Sequence, residues 1–217
     1  MVSSSKSERW RVILKIKAEA NRLEAVWSGD FGDDYVDRNS RAFERRGPFW
    51  RELLREFPAQ RVLEVGCNLG GNLHWIAQTI SPRDVFGVDV NPRALEELRV
   101  NAPGVNGVWS VARELPFRDR WFDLVFTTGV LIHQPESTLP LVMSEIVRCS
   151  KRFILCGEYH SEEVIEVPYR GLQGALYKRD YGRAYSELFP ELLLRKKGLL
   201  GPEEGFDRVT YYVFERT

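Results

Sequence analysis

Apolar residues repeat at helical spacing early in the chain and at strand spacing later. Over residues 6–27, Trp10, Ile13, Leu14, Leu23, Val26 and Trp27 recur among Lys, Arg and Glu, which predicts a helix. WSGDFGDDYVDRNS (27–40) is rich in Gly, Asp and Ser and reads as a loop with a short helix. A second helix is expected over 41–56, stopping before Pro58.

From there short apolar runs alternate with helical patterns. RVLEV (61–65), DVFGVDV (84–90), GVWSV (107–111), FDLVFTT (122–128) and RFILCGEY (152–159) read as strands. NLHWIAQTI (72–80), the stretch after Asn91-Pro92 and LPLVMSEIVRC (139–149) read as helices. Asn91 suits an N-cap and Pro92 the first helical position. Residues 160–185 look irregular, with a helix around 180–189. LLLRK (192–196) and VTYYVFER (209–216) close the sheet. Alternating strands and helices imply an α/β, doubly wound, seven-stranded sheet, mostly parallel, with helices on both faces. A Gly/Pro/Glu loop with little helical pattern joins the final two strands, so the last strand is expected to be antiparallel. The division read from this pattern is an N-terminal helical arm and lid over 1–56 and an α/β domain over 57–217.

Composition narrows the function. The 217 residues carry 31 Lys plus Arg and 31 Asp plus Glu, so the formal net charge is zero. A general nucleic-acid binder would carry a basic excess, and no nucleic-acid partner is expected. The basic stretch 6–17 reads as a solvated helix face. No run approaches the length of a membrane span, and MVSSSKSERW has no apolar signal core, so a cytoplasmic protein with no membrane partner is expected. Cys67, Cys149 and Cys156 are widely spaced with no CxxC, which gives neither a disulfide framework nor a metal site.

In an open α/β sheet, ligands sit at the carboxyl ends of the strands. Gly66 and Gly70 fall where the first core strand turns into its helix, in a Gly-x-x-x-Gly spacing with Asn68 between them. This is not the G-x-G-x-x-G of a dinucleotide site, which argues against an NAD-dependent dehydrogenase. Gly66 would let the backbone approach a ligand closely. Asp89 ends the next strand, where a carboxylate can accept from both hydroxyls of a ribose or can cap the following helix.

LEVGCNLGGNL, FGVDVNPRALEELR and ELPFRDRWFDLVFTTGVLIH resemble, in order and spacing, the class I S-adenosylmethionine-dependent methyltransferases over residues 60–157. The resemblance implies a Rossmann-like methyltransferase fold and S-adenosyl-L-methionine as cofactor. It also implies that Glu64, Gly66, Asn68 and Gly70 surround the methionine part, and that Asp89 holds the ribose with Val90 beside the adenine. Ala112 and Arg113 would lie along the adenine edge, and Thr128 and Gly129 beneath the sulfonium. Val111 stands where many relatives carry Asp, so adenine recognition is expected to rest on backbone groups and apolar contact. Four further segments, at 26–39, 64–73, 157–171 and 176–182, resemble the methyltransferases called pseudaminic acid biosynthesis-associated.

Methyl transfer needs position and electrostatics more than a dedicated catalytic motif. His133, just after the fourth core strand, is either a base or a structural histidine. Glu158 and Tyr159 end the fifth core strand and are expected to face the cleft as catalytic or orienting groups. Tyr169 and Arg170 follow in VPYRG, and Arg170 facing the cleft would indicate an acidic acceptor. Trp27, Phe31, Tyr35, Arg38 and Asn39 lie in the lid. Arg38 and Tyr35 are placed on the cofactor, and Trp27, Phe31 and Asn39 on the acceptor. The arm packs on its own domain or on a second subunit in a homodimer. The reading is methyl transfer to oxygen or nitrogen of a small molecule, a sugar or amino-acid derivative. Its rivals are N-methylation of a guanidino or amino group, with Glu158 and Glu162 or Glu163 neutralising the acceptor, and a regulatory protein that binds the cofactor without chemistry.

Overall fold

The computed structural model describes residues 6–39 and 44–217. The strands are β1 (Val62–Val65), β2 (Val85–Asp89), β3 (Asn106–Trp109), β4 (Phe122–Thr128), β5 (Ser150–Glu158), β6 (Ile165–Glu166), β7 (Tyr177–Lys178), β8 (Leu192–Leu200) and β9 (Val209–Arg216). The α-helices are α1 (Lys6–Ser28), α2 (Asp30–Arg38), α3 (Gly47–Glu56), α4 (Gly71–Ile76), α5 (Pro92–Asn101), α6 (Leu139–Cys149) and α7 (Tyr181–Leu188). The main sheet has seven strands in the order β3-β2-β1-β4-β5-β9-β8. β1 to β5 pair in parallel, and β9 runs antiparallel to both β5 and β8. The chain runs outward from β1 to β3 and returns to β4 on the other side of β1. That reversal opens a crevice beyond the carboxyl ends of β1 and β4.

Side-chain alternation builds two core layers. From β1, Val62 packs with Trp50, Leu53, Leu73 and Ile76 on one face. Leu63 and Val65 pack with Met143, Ile146, Tyr181 and Tyr185 on the other. Glu64 shares the face of Val62 by the same alternation, which turns it toward α3 and α4.

Several expected elements shift. α3 begins at Gly47, where Pro48 occupies the first turn; residues 41–43 of the expected 41–56 helix lie outside the described residues. α3 belongs with the α/β domain rather than the 1–56 arm, because Trp50, Leu53 and Leu54 are buried in the sheet's core. The expected loop at 27–40 is almost wholly helical, as α1 extends to Ser28 and α2 follows. α1 outruns the surface it packs on: Ala20 and Leu23 are buried, whereas Trp10, Ile13 and Leu14 are exposed. Within 160–185, β6 and β7 form an antiparallel ribbon whose far end carries the bridge Tyr169↔Leu172. No described helix is long and apolar enough to cross a membrane.

Candidate active site

The crevice is a cleft of about 410 Å³, floored by the strand ends and roofed by α1 and α2. Its turn after β1 is left-handed at Gly66 (φ 72°), Asn68 (φ 46°) and Gly70 (φ 81°). Asparagine tolerates that region better than other side chains, which accounts for Asn68 between two glycines. A Cβ on Gly66 would stand 2.4 Å from Val130 Cγ2. Gly70 does not line the cleft. It is the N-cap of α4, and a Cβ there would lie 2.2 Å from Leu98 Cδ1, so its smallness serves the packing of α5 rather than ligand contact.

Glu64 is buried beneath this turn. Asn72 Nδ2 donates to Glu64 Oε1 at 2.6 Å and Thr128 Oγ1 donates to it at 3.4 Å. Oε2 has no partner among the described residues. Burial raises the Glu64 pKa to about 8 against these hydrogen bonds and the nearby Arg46 charge. Asn72 Oδ1 accepts from Arg46 Nη1 at 3.0 Å and from Trp50 Nε1 at 3.1 Å. Arg46 Nε donates to Gly205 O at 2.8 Å, and its guanidinium lies 4.4 Å from the Phe206 ring centre. A cation and a free buried carboxylate oxygen therefore share one end of the cleft.

At the other end, Asp89 Oδ2 accepts from Asn68 N at 2.7 Å and Oδ1 from Asn91 N at 2.9 Å. It does not cap α5, since Asn91 Oδ1 does so by accepting from Ala94 N. The Asp89 carboxylate keeps lone pairs toward the cleft, which Val90, Val111, Ala112 and Arg113 continue. Arg113 is held by α1: Nε meets Glu24 Oε1 at 2.6 Å and Nη2 meets Oε2 at 3.0 Å. Asn91 Nδ2 donates to Trp27 O at 3.1 Å and to Asp33 Oδ1 at 2.8 Å, which ties both arm helices to the rim. The arm thus packs on its own domain.

Aromatic rings fill the space between these ends. Trp27 lies 5.3 Å from both Phe31 and Tyr35 and 4.4 Å from the His133 ring. Tyr169 reaches Phe31 at 5.9 Å and His133 at 5.4 Å. Burial lifts the Tyr35 phenol to about 12, with contributions from the Tyr169 phenol and the Asp207 carboxylate. His133 is buried, and burial lowers its pKa to about 4 although Nδ1 lies 2.6 Å from Ala175 O. That contact assigns the proton to Nδ1 and leaves Nε2 an acceptor.

Two expected positions stand outside the cleft, and a third is engaged within its own helix. Glu158 does not line the cleft. Its carboxylate accepts from Thr127 Oγ1 at 2.9 Å and from Val130 N and Ile132 N at 3.2 Å each, and burial raises its pKa to about 7. Glu158 is the last residue of β5 and Tyr159 lies just beyond it, so the two side chains part there. Phe31 stands behind the wall, between Trp27 and Tyr169. Asn39 lines the cleft, yet its Nδ2 donates to Tyr35 O at 2.8 Å, so it closes α2. Tyr159 does face the cleft and donates to Asp207 Oδ2 at 2.9 Å. Tyr35, Arg38, Thr128, Gly129 and Arg170 also line it.

Sequence reasoning missed Arg46, Asn72 and Asp207. Asn72 sits in GCNLGGNL, where its position in the first turn of α4 is the available signal. Arg46 and Asp207 come from loops without periodicity.

Residues 62–152 match the family model described as a methyltransferase domain. An uncharacterised methyltransferase of Synechocystis is 34% identical over 100 residues, covering 46% of this chain and 46% of its own length. A phthiotriol/phenolphthiotriol dimycocerosates methyltransferase of Mycobacterium ulcerans, so described as probable, is 30% identical over 95 residues, covering 43% and 36%. The chain thus spans less than half the length of these curated relatives. Among solved structures, magnesium protoporphyrin IX methyltransferase of Synechocystis with bound S-adenosylmethionine superposes with a TM-score of 0.64 at 14% identity, covering 92% of this chain and 97% of that one. The 1,6-didemethyltoxoflavin-N1-methyltransferase of Burkholderia thailandensis, with bound 1,6-didemethyltoxoflavin and S-adenosylhomocysteine, gives 0.63 at 15% identity, covering 100% and 92%. The fold is that of S-adenosylmethionine-dependent methyltransferases.

Proposed function

We propose that this chain is an S-adenosylmethionine-dependent methyltransferase acting on oxygen or nitrogen of a small molecule. The observation that carries the reading is the cleft's polar layout. A buried, partnerless carboxylate oxygen on Glu64 and the Arg46 guanidinium lie at one end, and the Asp89 carboxylate lies beside an apolar wall at the other. An amino acid joined to a nucleoside needs this sequence of groups. Glu64 would accept from the ammonium and Arg46 would hold the carboxylate. Asp89 would accept from the ribose hydroxyls, and Val90, Val111 and Ala112 would flank the base. Thr128 and Gly129 floor the middle.

When bound, the cofactor supplies an electrophilic methyl on a cationic sulfur. The chain's own work is to orient the acceptor and exclude water. Trp27, Tyr35 and Tyr169 close the roof. His133, held neutral by burial, offers Nε2 as a hydrogen-bond acceptor that turns the nucleophile's lone pair, and Tyr159 with Asp207 provides a second polar contact. The small-molecule reading is supported by the enclosed cleft and by the Burkholderia enzyme, whose ligand is a small heterocycle. The resemblance to the pseudaminic acid biosynthesis-associated methyltransferases rests on the segments at 26–39, 64–73, 157–171 and 176–182, which include part of the roof and of the acceptor wall.

The guanidino reading loses its stated carboxylates. Glu158 is turned away, and Glu162 and Glu163 are exposed outside the cleft. Asp207 is the carboxylate left on the acceptor side. An acceptor screen with radiolabelled S-adenosylmethionine tests the function. Methyl incorporation into a hydroxylated or amino-bearing metabolite supports it, and incorporation only into protein or RNA refutes the small-molecule part.

A further inference from the structure

Arg170 occupies a backbone position that an arginine rarely takes. It has φ 50° and is followed by Gly171 at φ 83°. Tyr169 and Leu172 exchange hydrogen bonds around the pair, Tyr169 N to Leu172 O at 3.0 Å and Leu172 N to Tyr169 O at 2.9 Å. Two central residues with positive φ define the mirror-image hairpin turn, whose favoured sequences are Asn-Gly and Gly-Gly. Fold alone would place asparagine or glycine at 170. The arginine there projects from a tight turn at the edge of the cleft, which it lines.

Its charge is also unspent. Several arginines in the structure are held by carboxylates, as Arg113 is by Glu24, Arg148 by Glu145 and Arg93 by Asp37. Among the described residues Arg170 has no carboxylate within 4.0 Å, and neither does Arg38. Arg38 also lines the cleft and rests against rings instead, 5.9 Å from Phe31 and 5.7 Å from Tyr35. Phe31 in turn contacts Tyr169, the residue before Arg170. Asp207, the exposed carboxylate among the described residues that line the cleft, is engaged by Tyr159 and pairs with neither arginine. Two guanidinium groups that line the cleft without a carboxylate, with the cofactor's carboxylate already assigned to Arg46, leave positive charge for the acceptor.

We propose that Arg170 and Arg38 form an oxyanion subsite that holds a carboxylate or phosphate group of the methyl acceptor. The forked guanidinium suits either oxyanion, and the Phe31 and Tyr35 rings lie beside that of Arg38. The inference rests on the methyltransferase reading, because it needs the cofactor to fill the Arg46 end.

The test is calorimetric titration of the protein saturated with S-adenosylhomocysteine, which blocks Arg46, using inorganic phosphate in one arm and acetate in the other. Wild type should bind at least one of the two, and the stronger arm identifies the group. Arg170→Gln and Arg38→Gln should each weaken that binding about tenfold or more, and Arg170→Gln should leave S-adenosylhomocysteine affinity within about twofold. Arg170→Gly guards against a folding artefact: glycine suits the turn, so this variant should melt no lower than wild type and still lose the anion. If the protein binds S-adenosylhomocysteine but neither anion, or if Arg170→Gly binds the anion as wild type does, the subsite is refuted and the function stands. If S-adenosylhomocysteine itself does not bind, both fall.

Discussion

The backbone N–H of Asn68 donates to Oδ2 of Asp89 at 2.7 Å, so the acid that ends β2 fixes the turn that ends β1. The same carboxylate accepts from Asn91 N at 2.9 Å. Asp89 therefore shapes the cleft as well as offering it lone pairs. Asp89→Ala should weaken S-adenosylhomocysteine binding by about tenfold to a hundredfold, since hydrogen bonds to a charged group contribute about 1.5–3 kcal/mol. Calorimetry reads this directly, and an unchanged dissociation constant would exclude Asp89 from the site. At the other end of the bond, Asn68→Gly should keep binding. Asn68→Val should lower stability by about 1–2 kcal/mol, because a β-branched residue resists the left-handed region; a melting curve decides.

Glu64 links binding to pH. Its carboxyl titrates ordinarily at 4.5 in the unfolded chain and at about 8 when buried in the fold. The unfolded state thus loses its proton first as pH rises. The stability contributed by this group is fully present below 4.5 and disappears as pH climbs to about 8. Glu64→Gln should flatten that part of the melting-temperature profile of the free protein. An ammonium placed beside Glu64 favours its charged form. Binding of S-adenosylhomocysteine near pH 7 should then release a proton, seen as a dependence of binding heat on buffer ionisation enthalpy. Glu64→Gln should abolish the dependence; persistence of the proton release in the variant would place the titrating group elsewhere.

The roof is clasped by Arg113 and Glu24, which meet through two hydrogen bonds and are both mostly shielded from solvent. Removing either should loosen α1 from the rim of the cleft and weaken cofactor-product binding several-fold. A double-mutant cycle with Arg113→Ala and Glu24→Ala should return a coupling of about 1 kcal/mol, at the upper end for partly exposed pairs. Strict additivity would show that the pair does not act on binding.

His133 should remain neutral across the physiological range, because burial holds its pKa near 4. Its ring proton signals should show no titration between pH 5.5 and 8, on the order of the range where an ordinary histidine titrates. A midpoint near 6.5 would restore the possibility of a proton-carrying base. His133→Ala should lower turnover with little change in S-adenosylhomocysteine affinity, which equal losses in both would contradict.

The parts of this molecule legible in its sequence are those where local pattern and burial agree. β4 and α6 have the expected limits, 122–128 and 139–149, because each is a long apolar pattern bounded by turn or cap signals. The Gly66–Asp89 pair was readable because strand ends are marked by the change of period. Glu158 was not legible, because a place at a strand end does not decide which way the carboxylate turns; here it turns to Thr127 and to the backbone of Val130 and Ile132. Arg46 and Asp207 were invisible for a different reason. They reach the cleft from loops 44–46 and 201–208, whose placement depends on packing of α3 and β9 far along the chain. Tertiary contacts, not local propensity, put them there.

The central claim is that the cleft between β1 and β4 takes S-adenosylmethionine. Titrating the full chain with S-adenosylmethionine and with S-adenosylhomocysteine by calorimetry tests it most directly. One equivalent of either ligand should bind, with affinity lost in Asp89→Ala and proton release lost in Glu64→Gln. The absence of binding by both ligands, or binding that neither substitution alters, would contradict it.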